Sequence, residues 1–177
     1  MTRKSGALLG LGVVLVGIQL VPVERTNPPV TGEIRAPDEV MAILERSCGD
    51  CHTNETSWPW YSRVAPVSWL VAHDVDEGRE HANFSEWDTY DAKERDDVLE
   101  EMVEVMEKGE MPLRKYTALH PSAKLPEADR ERLAEWARAE RAEPSPAAAG
   151  PAPSPAGDAA GTSEPAAAGN RGGDPER

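Results

Sequence analysis

The sequence predicts an all-α domain of modest size. Apolar residues recur at helical spacing over 37–48, 91–108 and 126–141. No parallel-strand pattern follows the only two cysteines, Cys48 and Cys51. The span Glu33 to Arg141 is 109 residues, enough for one core, and it lies between an apolar opening stretch and a Pro/Ala/Gly-rich tail.

Residues 1–23 read as a targeting segment. Arg3 and Lys4 precede Gly6 to Val23, 18 residues without a charge. That length sits between a signal-peptide core and a membrane-spanning helix. No small-x-small cleavage site follows, so an uncleaved signal anchor is expected, in preference to a cleaved signal. The positive residues come first, which places the remainder outside the cytoplasm. Residues 24–36, with Pro28 and Pro29, read as an extended linker.

A short helix is expected from Pro37 or Asp38, with Val40, Ile43, Leu44, Ser47 and Cys48 on one side. It delivers Cys48-Gly49-Asp50-Cys51-His52, a C-x-x-C-H run, the attachment signature of c-type haem. Two thiols three positions apart can each add to one vinyl group of the same macrocycle. The histidine that follows can then offer an imidazole nitrogen to the iron. A thioredoxin-like dithiol would sit in a βαβ pattern, and the residues before Cys48 read as helix instead. A structural zinc site needs four ligands, commonly from paired motifs, and here there is one pair.

Trp58-Pro59-Trp60-Tyr61 opens an aromatic stretch reaching Trp69, suited either to lining a planar cofactor or to ordinary core packing. Val67 to Arg79 is expected to be helical, with Trp69, Leu70, Ala72, His73 and Asp76 on one side and Gly78 weakening its end. His73, His81 and His120 are rival iron ligands. Each also suits an ordinary structural role.

Asp91 to Lys108 carries the strongest helix pattern. Asp91 and Glu94 have capping-box spacing. Val98, Leu99, Met102, Val103, Val105 and Met106 form the apolar stripe, and Gly109 supplies the stop. Asp96, Asp97, Glu100, Glu101, Glu104 and Glu107 make an acidic face, either solvated or a docking face for a basic partner. Met111-Pro112 follows in a loop. A loop methionine after C-x-x-C-H has the chemistry of a distal thioether ligand, soft, neutral and potential-raising. Met102 and Met106 sit at core spacing and read as packing residues. A last helix is expected over 126–141, with Leu133, Trp136 and Ala137 inward. Residues 142–177 cannot bury a core and are expected to be disordered.

The net charge is −13, of which the residues from Glu143 onward contribute −3. So acidic a domain excludes nucleic acid as a partner. The domains expected are therefore the anchor (1–23), the linker (24–36), one helical haem domain (37–141) and the tail (142–177).

With these residues placed, the chain resembles the bacterial haem-binding domain family, small membrane-anchored proteins like c-type cytochromes. The resemblance runs from about Val21 to Trp136. It is carried by Val21-Pro22-Val23-Glu24-Arg25-Thr26-Asn27-Pro28-Pro29, by Cys48 to His52 and by Asn54-Glu55-Thr56-Ser57-Trp58-Pro59-Trp60-Tyr61. Ala65-Pro66-Val67-Ser68-Trp69, Gly78-Arg79-Glu80-His81, Asn83-Phe84-Ser85 and Gly109-Glu110-Met111-Pro112 complete it. The order helix, C-x-x-C-H, distal Met, helix is also similar to class I cytochromes c.

The resemblance implies covalent haem c and a position on the outer side of a bacterial inner membrane. The expected function is that of a mono-haem cytochrome passing single electrons rather than an enzyme. One haem would be held by Cys48 and Cys51, with His52 and Met111 as iron ligands. Expected partners are redox proteins, basic-surfaced ones among them, the haem-attachment machinery and the membrane. The rival is a haem sensor or peroxidase-like enzyme with an open or displaceable sixth position, where His73 or His81 could move protons.

Overall fold

The described residues, 3–142 of a computed structural model, form seven α-helices, four single 3₁₀ turns and no strand, only one isolated bridge between Gly32 and Glu86. The all-α expectation holds. The expected tail, 142–177, lies outside the described residues from position 143 onward.

Helix α1 spans Arg3–Gly17 and tightens into a 3₁₀ turn over Ile18–Leu20. Here the expectation of a membrane-spanning anchor is corrected: among the described residues, no helix is long and apolar enough to cross a membrane. Fifteen α-helical residues cover about 22 Å, against about 30 Å of hydrocarbon.

The segment after α1 is extended, as its prolines dictate, and it is strapped onto the domain. Gln19 bonds both the N–H and the carbonyl of Ala65 (2.9 and 3.1 Å). Arg25 donates to Ser62 O, and Asn27 donates to Thr56 O while accepting from Trp58 Nε1 (3.0 Å each for Asn27). Ile34 N donates to Phe84 O at 2.8 Å, and the Ile34 side chain enters the core.

Helix α2 (Asp38–Ser47) buries Val40, Ile43, Leu44 and Ser47, the expected face. Helix α3 (Gly49–His52) is a single turn holding the rest of the C-x-x-C-H run. Helix α4 (Val67–His81) buries Ser68, Ala72, Val75 and Gly78. This corrects the expected face, because Trp69 and Leu70 stay exposed. The cause is steric: a Cβ on Gly78 would lie 2.7 Å from Cys51 O, so small residues let α4 approach α3. Gly78 marks a close approach rather than a weak end.

Helix α5 (Ala92–Lys108) starts at a complete capping box. Asp91 accepts from Lys93 N and Glu94 N, and Glu94 accepts from Asp91 N. It stops at Gly109, whose φ of 64° is left-handed. Helix α6 (Arg114–Leu119) follows the Met-Pro loop and has no counterpart in the sequence pattern. Helix α7 (Glu127–Ala142) packs most closely on α5. Leu99, Met102, Met106, Leu133, Ala134 and Ala137 of these two helices join Val40, Ile43, Leu44, Phe84 and Trp87 in one core.

Candidate haem site

The loop between α2 and α4 is where the strap, α4 and the C-x-x-C-H turn meet, and hydrogen bonds fix it. Asn54 is buried. Its side-chain amide donates to Pro29 O and Glu86 Oε1 and accepts from Asn83 Nδ2. Asn54 N donates to the Ser85 hydroxyl. Arg79 donates to Thr53 O, Thr26 O and the Thr56 hydroxyl at 2.9–3.0 Å. Phe84 N donates to His52 O at 2.7 Å.

Within that frame the His52 ring packs face-on against Phe84 (centroids 5.5 Å apart, planes 26° apart). Its Nδ1 lies 3.0 Å from Ala82 O, a partner that can only accept. Nδ1 therefore carries the proton and Nε2 the lone pair, the tautomer a metal ligand needs. Burial pushes the His52 pKa below the usual histidine range, against the pull of the Ala82 and Gly78 carbonyls. The ring is neutral at pH 7 and available for ligation.

Neither cysteine is in a disulfide. Burial and the neighbouring Cys51 raise Cys48 to about 12; burial and Asp50 raise Cys51 to about 11. Dithiol redox sites work through thiols whose pKa is lowered, so these raised values weigh against a thioredoxin-like role. Among the described residues no three His, Cys, Asp or Glu side chains gather as a metal-ligand cluster.

Cys48, Cys51, His52 and Met111 all line one cavity of about 460 Å³. Its walls are Leu70, Val71 and Val75 of α4, Met102, Val105 and Met106 of α5, then Met111 to Leu113, with Tyr116 and Leu119 of α6. Met102 and Met106 are core residues, as expected, and also cavity wall. The Ser47 hydroxyl, beside Cys48 on the wall, is buried with no hydrogen-bond partner among the described residues. Size, apolar lining and donor types match a planar macrocycle with thiol, imidazole and thioether partners.

Two of the three rival histidines touch the cavity. His81 lines it but is largely exposed, 3.8 Å from Glu101. His120 lines it between two tyrosines, hydrogen-bonded to Tyr61 Oη and stacked on Tyr116 with centroids 4.4 Å apart. His73 lies outside it, exposed, 3.5 Å from Glu77.

Of the aromatic stretch that the sequence leaves open between cofactor lining and core packing, Tyr61 reaches the cavity wall. Trp58 is tied to the strap and Trp60 is exposed, while Tyr116 also lines the wall. Tyr116 donates to Asp50 Oδ2 at 2.8 Å, and burial with that bond raises its pKa far above the usual tyrosine value. Sequence reasoning missed Tyr116 and Asp50 as partners. The one available signal was that Asp50 lies inside the C-x-x-C-H run.

The acids of the expected acidic face are largely engaged. Asp96 and Glu100 pair with Arg141, Glu107 with Arg138, Asp97 with Lys93 and Glu104 with Lys108.

No curated protein and no solved structure matches the chain. One family does, the haem-binding domain family, over residues 13–139, the strap, the C-x-x-C-H turn and the whole cavity included. The chain belongs to the haem-binding domain family.

Proposed function

We propose that the chain is an electron carrier of the c-type, holding one haem covalently through Cys48 and Cys51, with His52 and Met111 as iron ligands. The observation that carries this reading is that these four side chains, spread over 64 positions of sequence, line the same apolar cavity. When bound, haem supplies a one-electron iron couple. The chain's own residues set its conditions. The Ala82 carbonyl holds the His52 imidazole in its ligating tautomer and raises its basicity. The Met111 thioether, soft and neutral, favours the reduced metal. The apolar walls exclude water and disfavour the more charged oxidised state.

Nothing in the reading calls for an enzyme, and covalent haem attachment agrees with an extracytoplasmic site. Redox proteins are the partners proposed. The engagement of the α5 carboxylates leaves a basic partner surface without special support.

A redox titration of the exported chain, with carbon monoxide mixed into the reduced form, tests this. An electron carrier gives one reversible one-electron wave and no rapid carbon monoxide binding. Rapid binding would favour the sensor or peroxidase-like reading, with an exchangeable sixth position.

A further inference from the structure

The apolar surface of this chain is concentrated where α1 meets the domain. Side chains Leu8 through Val16 of α1 are exposed on every face of the helix. At its root, Gln19 grips both backbone polar groups of Ala65. In the chain flanking Ala65, Trp60 (77% exposed), Val64 (45%) and Val67 are exposed. Tyr61 ties this turn to His120, which brings in Leu119 (62% exposed). Val67, Leu70 and Leu119 are also cavity wall, so this side of the patch adjoins the cavity, with Trp60 and Val64 outside it.

Isolated exposed leucines need no explanation, but a contiguous apolar patch continuous with an apolar helix does. We propose that Trp60, Val64, Val67, Leu70 and Leu119 form a lipid-surface contact continuous with α1, so that the adjoining side of the cavity lies against a bilayer. Three features select lipid as the occupant. The helix is apolar around its whole circumference, whereas a helix made for a protein groove keeps one polar face. Its 15 residues, about 22 Å, fall short of about 30 Å of hydrocarbon, so burying it in lipid holds the domain at its root close to the bilayer surface. Exposed Trp60 is of the residue type enriched at membrane–water interfaces. Because the chain carries −13, attraction to anionic lipid does not supply the contact, which therefore persists on zwitterionic, net-neutral phosphatidylcholine. The proposal does not depend on which group the cavity holds.

The test places a benzophenone photo-crosslinking amino acid in the full chain at Leu119 or Val64, with Leu9 as a marker of α1 and Glu104 as a control on α5. All are exposed positions, so the fold tolerates them. After irradiation with phosphatidylcholine vesicles, the proposal expects phospholipid adducts at Leu119, Val64 and Leu9 and none at Glu104. Adducts at Leu9 alone mean that only the helix meets lipid and overturn it. Chain-to-chain adducts at Leu119 or Val64 show a self-interface and also overturn it, as does failure of the chain to float with vesicles.

Discussion

Gly78 decides how near α4 comes to the thiol that the proposed function uses. A methyl group there meets Cys51 O at 2.7 Å and Cys51 Cβ at 3.0 Å, neither the flexible end of a side chain. Gly78→Ala is therefore expected to destabilise the chain by about 1–3 kcal/mol, read from urea unfolding. His52 makes a separate prediction for the haem-free chain. Burial keeps its native pKa below the unfolded value, so the unfolded state binds the extra proton first. Stability should be constant above roughly pH 6.5 and fall as pH drops below it. His52→Gln should flatten that part of the profile of unfolding midpoint against pH.

The helices test how far local chemistry fixes structure. Asp91→Ala removes an acceptor bonded to both Lys93 N and Glu94 N and should cost about 1 kcal/mol, visible as a lowered melting temperature. Helix α5 was legible in the sequence because cap, stripe and stop agree, and α2 and α7 from their apolar stripes. Helix α4 was legible in extent but not in orientation. Its large residues, Trp69 and Leu70, suggested the inner face, whereas close packing on α3 selects Ser68, Ala72 and Gly78. Helix α6 has six residues and no cap, too little periodicity to read. The four residues proposed for the site could be named from sequence because the C-x-x-C-H pattern fixes the spacing of three and Met111 follows a clear helix stop; the structure adds that all four line one cavity. The Tyr61–His120–Tyr116–Asp50 wall was not, since it joins residues up to 70 positions apart with no local signature.

At the scale of the molecule, the strap and the cavity are coupled through Arg79. One guanidinium holds Thr26 of the strap and Thr53 and Thr56 just beyond the C-x-x-C-H turn. Arg79→Met should lower stability by about 2 kcal/mol and speed proteolysis within residues 24–36, measured by urea unfolding and limited digestion. A strap so anchored also explains why the resemblance motifs at 21–29, 54–61 and 78–85, distant in sequence, belong together: they bond to one another.

The central claim is that Cys48, Cys51, His52 and Met111 make one haem c site. Absorption spectra of the chain exported with the haem-attachment machinery, native and denatured, test it for the wild type and Met111→Ala. The account predicts haem that stays with the denatured chain in both, and a weak methionine–iron charge-transfer band in the native wild type that the variant loses. Haem released on denaturation, or a variant spectrum identical to the wild type, would contradict it.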